Sequence, residues 1–238
     1  MEQRVLAFAP ATDERGKIES VLARIPRDVV HEILIYDDGS TDGTGEEAAR
    51  HGARVIRSET RRGVGSAIRE GIHYARASGF DVMVVMAGND KDDPSEIPRL
   101  LGPILEDGAH FVQGSRYLPG GGFGNMPVYR TLATRFVHPL LFSLITRRWV
   151  TDSTNGFRAF RLSLFDDERI RIDQDWLEQY ELEPYIYFKA IRLGYGVREV
   201  PVHKVYPDWK KGYTKMRPIT GWWSILRPLL YLGLGLKS

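Results

Sequence analysis

Carboxylates gather at three places in the first half of this chain. They are Pro10-Ala11-Thr12-Asp13-Glu14, Asp37-Asp38-Gly39-Ser40-Thr41-Asp42-Gly43-Thr44 and Gly88-Asn89-Asp90-Lys91-Asp92-Asp93-Pro94. Each run follows an apolar stretch that reads as a strand. Carboxylates so placed accept ribose hydroxyls and base N–H groups, or hold a divalent cation through oxygen. Taken one at a time, the plainer reading is stronger: Asp42 caps a helix and Asp37 closes a turn. Three such loops bordering one crevice favour a ligand site.

Basic residues are concentrated elsewhere. Asp81 to Asp107 holds seven acidic residues against two basic, whereas Phe111 to Arg148 holds five arginines and no acid. Lys189 to Arg217 adds eight basic residues against Glu199 and Asp208. Solvated faces explain any single run; the three together suggest a site that handles several phosphate charges. The net charge of +2 is too small to argue for nucleic acid. With no cysteine, disulfide frameworks, zinc knuckles and thiol catalysis are excluded. No G-x-G-x-x-G turn follows the first strand, and neither G-x-x-x-x-G-K-[ST] nor G-x-S-x-G occurs. The six histidines lack metal-ligand spacing.

The elements that must position these residues alternate. Strands are expected at Val5–Ala9, Glu32–Tyr36, Arg54–Ile56 and Asp81–Met86, with helices between them at Ile18–Ile25, Thr44–His51 and Val64–Ala77. Nearly continuous apolar strands joined by helices predict an α/β fold with a mostly parallel sheet covered on both faces. Ligands then sit beyond the carboxyl ends of the strands. In the second half, strands are expected at Phe111–Gly114, Arg158–Phe160 and Val197–Val202. A helix is expected at Glu181–Leu193, and a long amphipathic one from Val128 to Arg148, kinked at Pro139. At 238 residues with no internal repeat or linker, one domain is predicted, with 1–118 serving the nucleotide and 119–238 the acceptor.

The opening residues show no signal-peptide core, and Arg227 and Pro228 interrupt the apolar Ile219–Leu236 stretch, so no spanning segment is expected. Val128–Trp149 and Gly221–Leu236 set Leu, Phe, Trp and Tyr beside arginines. That pattern suits helices lying in a membrane interface, and equally a packed core or a dimer contact.

The Asp37–Thr44 run, together with Pro10–Glu14, Gly114-Ser115-Arg116-Tyr117 and Asp152–Phe160 (DSTNGFRAF), resembles the family 2 glycosyltransferases of GT-A (Rossmann-like) fold. The closest subgroup is the dolichol-phosphate mannose synthase and polyprenyl-phosphate glycosyltransferase type. The resemblance implies nucleotide contacts from Pro10, Thr12, Glu14, Asp37, Asp38, Arg62, Gly88 and Asn89. It implies that Lys211 and Lys215 clamp the donor diphosphate, and that Arg116, Arg130 and Thr134 hold an acceptor phosphate. The family's D-x-D-x-Q metal motif departs here: aligned on Met86 and Ile97, its positions hold Ala87, Asn89 and Lys91. A one-residue shift offers Asp90 and Asp92 instead. A divalent cation, Mg²⁺ or Mn²⁺, is therefore expected on Asn89, Asp90 and Asp92, weakly held or dispensable. Lys91, Asp92 and Arg116 form the expected catalytic set, with Lys91 supplying charge to the leaving diphosphate.

The implied reaction is inverting transfer of a hexose from UDP- or GDP-hexose to a polyprenyl or dolichyl phosphate. The expected location is peripheral, on the cytoplasmic leaflet. Two alternatives stand beside it: a non-catalytic nucleotide-sugar or lipid-phosphate binding protein, and a sugar-1-phosphate nucleotidyltransferase. The sugar, the nucleobase and the oligomeric state are left open.

Overall fold

The computed structural model describes residues 3–206 and 220–237. Its frame is a seven-stranded sheet. Strands β1 (Val5–Ala11), β2 (Glu32–Asp38), β3 (Arg54–Ser58) and β4 (Val82–Val85) come from the first half. Strands β5 (Phe111–Ser115), β7 (Arg158–Arg161) and β8 (Val197–Pro201) come from the second, giving the order β3-β2-β1-β4-β7-β5-β8. A small parallel pair, β6 (Gly122–Gly124) and β9 (His203–Val205), stands apart.

Apolar residues at successive strand positions point to opposite faces. Leu6, Phe8, Leu34, Tyr36, Met83 and Val85 fill one core, against helices α3 (Val64–Ala77) and α7 (Leu182–Arg192). Val5, Ala7, Ala9, Ile33, Ile35, Val82 and Val84 fill the other. That second core packs against α1 (Ile18–Ala23), α2 (Thr44–Arg50) and α4 (Ile97–Leu105). Both cores need both periodicities, which is why these strands read as unbroken apolar runs. A Cβ on Gly71 would stand 2.5 Å from the Phe8 ring, so glycine lets α3 approach the sheet.

Three features differ from expectation. β1 continues through Pro10 to Ala11, because its parallel pairing with β2 runs on to Tyr36 and Asp37, while the Pro10 carbonyl accepts from Gly88 N at 3.3 Å. Helix α4 was not anticipated, since Pro98 and Pro103 mask its periodicity; Pro98 falls in the first turn, where its missing N–H costs nothing. The long helix is three segments: α5 (Val128–Leu132), a π-helical turn (Ala133–Val137) and α6 (His138–Thr146). The irregularity precedes Pro139, which cannot donate to the previous turn, so the widened turn absorbs the missing bond.

Helix α8 (Thr220–Gly233) packs on α6 and α7. Among the described residues, no helix is long and apolar enough to cross a membrane.

Strand β7 matters most for function. It runs antiparallel to both β4 and β5, with Arg158 opposite Val85 and Gln113. Its start therefore lies at the carboxyl ends of its neighbours. The preceding Asp152–Gly156 loop is delivered to the same edge as the loops after β1, β2 and β4.

Candidate active site

A cavity of about 420 Å³ opens at that edge. Of the residues singled out from sequence, Pro10, Thr12, Glu14, Asp38, Asn89, Lys91, Arg116, Arg130 and Thr134 line it.

One wall carries carboxylates. Asp38, at the end of β2, accepts from Arg62 N at 2.7 Å and Gly63 N at 2.9 Å, where α3 begins. Gly63 has φ +104°, a conformation costly for residues with a Cβ, and this lets two consecutive amides converge on one carboxylate. Glu14 is buried, with Oε2 2.7 Å from Lys17 Nζ. The Asp13–Arg15 segment is stitched to the loop after β2: Asp13 N donates to Ser40 Oγ, Glu14 N to Thr44 Oγ1, and Arg15 N to Asp42. Asp42 is a turn former, its Oδ1 accepting from Thr44 N and Oγ1. Burial acts to raise its pKa, but these bonds outweigh it and lower the value.

The other wall is cationic. Lys91, Lys204, Arg116, Arg130 and Tyr206 all line it. Lys91 Nζ lies 5.7 Å and the Arg130 guanidinium carbon 5.2 Å from the Tyr206 ring centre. Burial, with repulsion from Lys204 and Arg130, brings the Lys91 pKa down to about 8. Lys204 Nζ donates to Asp92 Oδ1 and to Asn155 Oδ1.

Beyond the cations, Thr134 and His138 continue the lining with Ile225. His138 Nδ1 is 2.7 Å from Ser153 Oγ, and burial takes its pKa down to about 4.

Several expected roles do not match this placement. Asp37 does not line the cavity. It is fully buried, accepts from Ser40 N at 3.0 Å, and faces Gly45 of α2, where a Cβ would stand 2.6 Å from Oδ2. The Arg62 side chain is exposed, 3.6 Å from Glu70; only its backbone serves the site, through Asp38. Gly88 is a packing position, a Cβ there meeting Pro10 O at 3.0 Å.

Arg116 lines the cavity, yet its side chain is committed to protein partners. Its Nε and one Nη donate to Asp152 at 2.7 and 2.8 Å, that Nη also to Thr154 Oγ1 at 2.8 Å, and the other Nη to Tyr206 Oη at 2.9 Å. A guanidinium has five N–H bonds, and these contacts with Met126 Sδ at 3.9 Å account for all of them. In this arrangement Arg116 is an internal strut. Burial would raise the Asp152 pKa, but the Arg116 charge and hydrogen bonds lower it overall.

The expected cation ligands also diverge. Asp90, at φ +60°, turns outward to pair with Arg24. Asp92 is buried on Lys204 and Ala87 N. Lys211 and Lys215 lie outside the described residues. Lys204, Tyr206, Asp152 and Asn155 were not singled out from sequence. Asp152 and Asn155 sit in the DSTNGF motif, and Lys204 in the basic stretch, which were the available signals.

The glycosyl transferase family 2 profile matches residues 15–169, more than half the chain. The chain belongs to glycosyl transferase family 2. It is similar to an undecaprenyl-phosphate mannosyltransferase of Micrococcus luteus, 32% identical over 222 residues and covering 90% of this chain and 87% of that one. It is also similar to a polyprenol monophosphomannose synthase of Mycolicibacterium smegmatis, 30% identical over 90% of this chain and 81% of that one. The fold matches glucosyl-3-phosphoglycerate synthase of Mycobacterium tuberculosis, solved with Mn²⁺, UDP and glucosyl-3-phosphoglycerate. That match has a TM-score of 0.70 at 22% identity, over 98% of this chain and 79% of that one.

The family 2 glycosyltransferase described here has the expected mostly parallel sheet flanked by helices, and inversion at the anomeric carbon is the outcome consistent with its family. The donor set does not suit the divalent cation of that solved relative. Among the described residues, no three His, Asp or Glu side chains converge as metal ligands. The Asn89 Oδ1 is buried without a hydrogen-bond partner, but it is one neutral oxygen.

Proposed function

We propose that this glycosyltransferase moves a hexose from a nucleoside diphosphate sugar to a polyprenyl or dolichyl phosphate at a membrane surface. The observation that carries the reading is that one cavity is lined both by the carboxylates Glu14 and Asp38, at the strand ends, and by the cations Lys91, Lys204 and Arg130. Carboxylates accept the hydroxyl and base N–H groups of a nucleoside, and cations receive the phosphates of both substrates.

In the reaction the bond from the anomeric carbon to the donor diphosphate breaks, and its electron pair leaves with the nucleoside diphosphate. The acceptor phosphate oxygen forms the new bond. This oxygen is already an anion, so no strong general base is needed. The protein's task is to hold two negative reactants in line and to meet the charge that develops on the leaving group. In this reading Arg130 and Thr134, which both line the cavity, take the acceptor phosphate. Arg116 positions the Asp152 loop and Tyr206, and so acts through its neighbours.

The polyprenyl acceptor is supported by the relatives' substrates and by the helix that carries Arg130 and Thr134. The outer face of that helix exposes Val128, Tyr129, Leu132, Phe136, Leu140 and Leu144, flanked by Arg135 and Arg147. Trp223 and Leu230 of α8 are exposed as well. An apolar face beside arginines suits docking in the headgroup region, on the cytoplasmic leaflet where nucleotide sugars are made.

The test is product formation from a panel of labelled UDP- and GDP-hexoses with polyprenyl phosphate in phospholipid vesicles. Lipid-linked sugar from one donor is expected. Nucleotide binding without product would favour the non-catalytic alternative, and pyrophosphate release from a sugar phosphate and a nucleoside triphosphate would favour the nucleotidyltransferase.

A further inference from the structure

We propose that the Lys204 ammonium, clamped by Asp92 and Asn155, takes the place of a divalent cation at the donor diphosphate, so that the enzyme binds and uses its donor without metal. The proposal rests on the nucleotide-sugar reading above and concerns how the same cavity neutralises the diphosphate.

Four observations carry it. The Asp92 carboxylate, 2% exposed, has both oxygens committed, Oδ2 to Ala87 N at 2.9 Å and Oδ1 to Lys204 Nζ. A metal on Asp92 would have to displace the ammonium and leave it unpaired in a buried site, which is strongly unfavourable.

Next, Lys204 is not a mobile surface lysine. Its backbone is paired with Phe123 of β6 on one side and bridged to Asp92 on the other, and Val205 N donates to Lys91 O at 2.8 Å. With Nζ bonded to Asp92 and Asn155 the ammonium is fixed before any ligand arrives, and Lys204 is part of the cavity lining. Fixed charge of this kind costs no reorganisation when the diphosphate leaves.

The remaining acid of the loop is out of reach. Asp90 is turned to Arg24 in a left-handed conformation, so two carboxylates do not converge. Mg²⁺ is normally held through one or two carboxylates in near-octahedral geometry.

Finally, Lys91 feels repulsion from both Lys204 and Arg130 in a largely buried space, with Glu14 and Asp92 acting the other way. An anion between them relieves that repulsion. As the anomeric bond breaks, the donor diphosphate gains one negative charge and no proton moves, so the two ammonium groups offset that change directly.

The experiment is calorimetric titration of UDP and GDP into the full chain, once with EDTA and once with Mg²⁺ or Mn²⁺. Manganese uptake is followed in parallel by loss of the free Mn²⁺ paramagnetic signal. The better-bound nucleotide should show a Kd changed by less than about threefold between the two conditions, because no metal completes the site. Lys204→Met should weaken it by about tenfold or more, through loss of a charge-assisted contact. Should Lys204→Met fail to fold, the Lys204→Met/Asp92→Asn double variant removes both charges together, and Lys91→Met tests the neighbouring ammonium; each should weaken nucleotide binding similarly.

Nucleotide binding that EDTA abolishes and Mn²⁺ restores, with stoichiometric Mn²⁺ uptake by the unaltered protein, would overturn the proposal and leave the functional reading standing. Failure of both nucleotides to bind in either condition would remove the functional reading and the proposal together.

Discussion

Replacing Arg116 by alanine separates two roles for this arginine. As a ligand of the acceptor phosphate, its loss would abolish transfer and leave the fold intact. As a strut, its loss should unfold part of the site. The Arg116 side chain is 2% exposed and its partner Asp152 is fully buried. Removing one member of a buried ion pair leaves the other charge unpaired, at a cost of about 3–5 kcal/mol. For a chain of this size each kcal/mol shifts the melting temperature by about 2–4 °C, so Arg116→Ala should melt about 6–20 °C lower. Far-UV circular dichroism on heating measures this. Arg116→Met combined with Asp152→Leu removes both charges and should recover at least half of the loss, since a hydrophobic replacement of the whole pair is often near neutral. A single variant that melts within about 2 °C of the unaltered protein, yet transfers no sugar, would refute the strut and restore Arg116 as a phosphate ligand.

Three other outcomes are expected. Arg130→Ala should raise the acceptor KM by about tenfold or more while nucleotide affinity holds, as one charge-assisted phosphate contact is lost; equal loss of both would assign Arg130 to the donor. His138 is held neutral by burial down to about 4, against an ordinary 6.5, so the unfolded chain takes up the proton first. Its contribution is whole above pH 6.5 and is lost as pH falls toward 4, by about 3 kcal/mol in all, so urea unfolding of His138→Gln should show a weaker acid dependence than the unaltered protein. Leu144→Asp, at a position 65% exposed, should leave the melting temperature unchanged. It should lower sedimentation with anionic vesicles by about tenfold or more, since one buried leucine is worth about 1.5–3 kcal/mol; unchanged sedimentation with an altered molecular mass would point to a dimer contact instead.

The strands of the first half were legible because each must feed two cores. A residue run such as Val5–Ala9 or Val82–Val85 is apolar at every position only when both faces of a sheet are covered. Helix α3 was legible to the residue, its apolar spacing being unbroken and its start marked by Gly63. Helix α4 was obscured by two prolines, and β6 and β9, at three residues each, are too short to show a period.

The sequence by itself determined the chemistry on offer: acidic loops at strand ends, arginines and lysines downstream, and motifs enough to place the family. It could not determine which charge meets which, because that is a question of distance across the fold and not of spacing along the chain. Asp92 and Lys204 are separated by 112 residues, and only the pairing of β9 against β6 and the Asp92 loop brings them together. Asp152 reaches Arg116 because β7 runs against its neighbours, a direction that no local pattern in Arg158–Arg161 encodes. Residues read as ligands from the family resemblance or from their place in an acidic loop, Arg116, Asp37 and Asp92, find partners inside the protein. A buried charge must be paired, and tertiary structure alone supplies the partner.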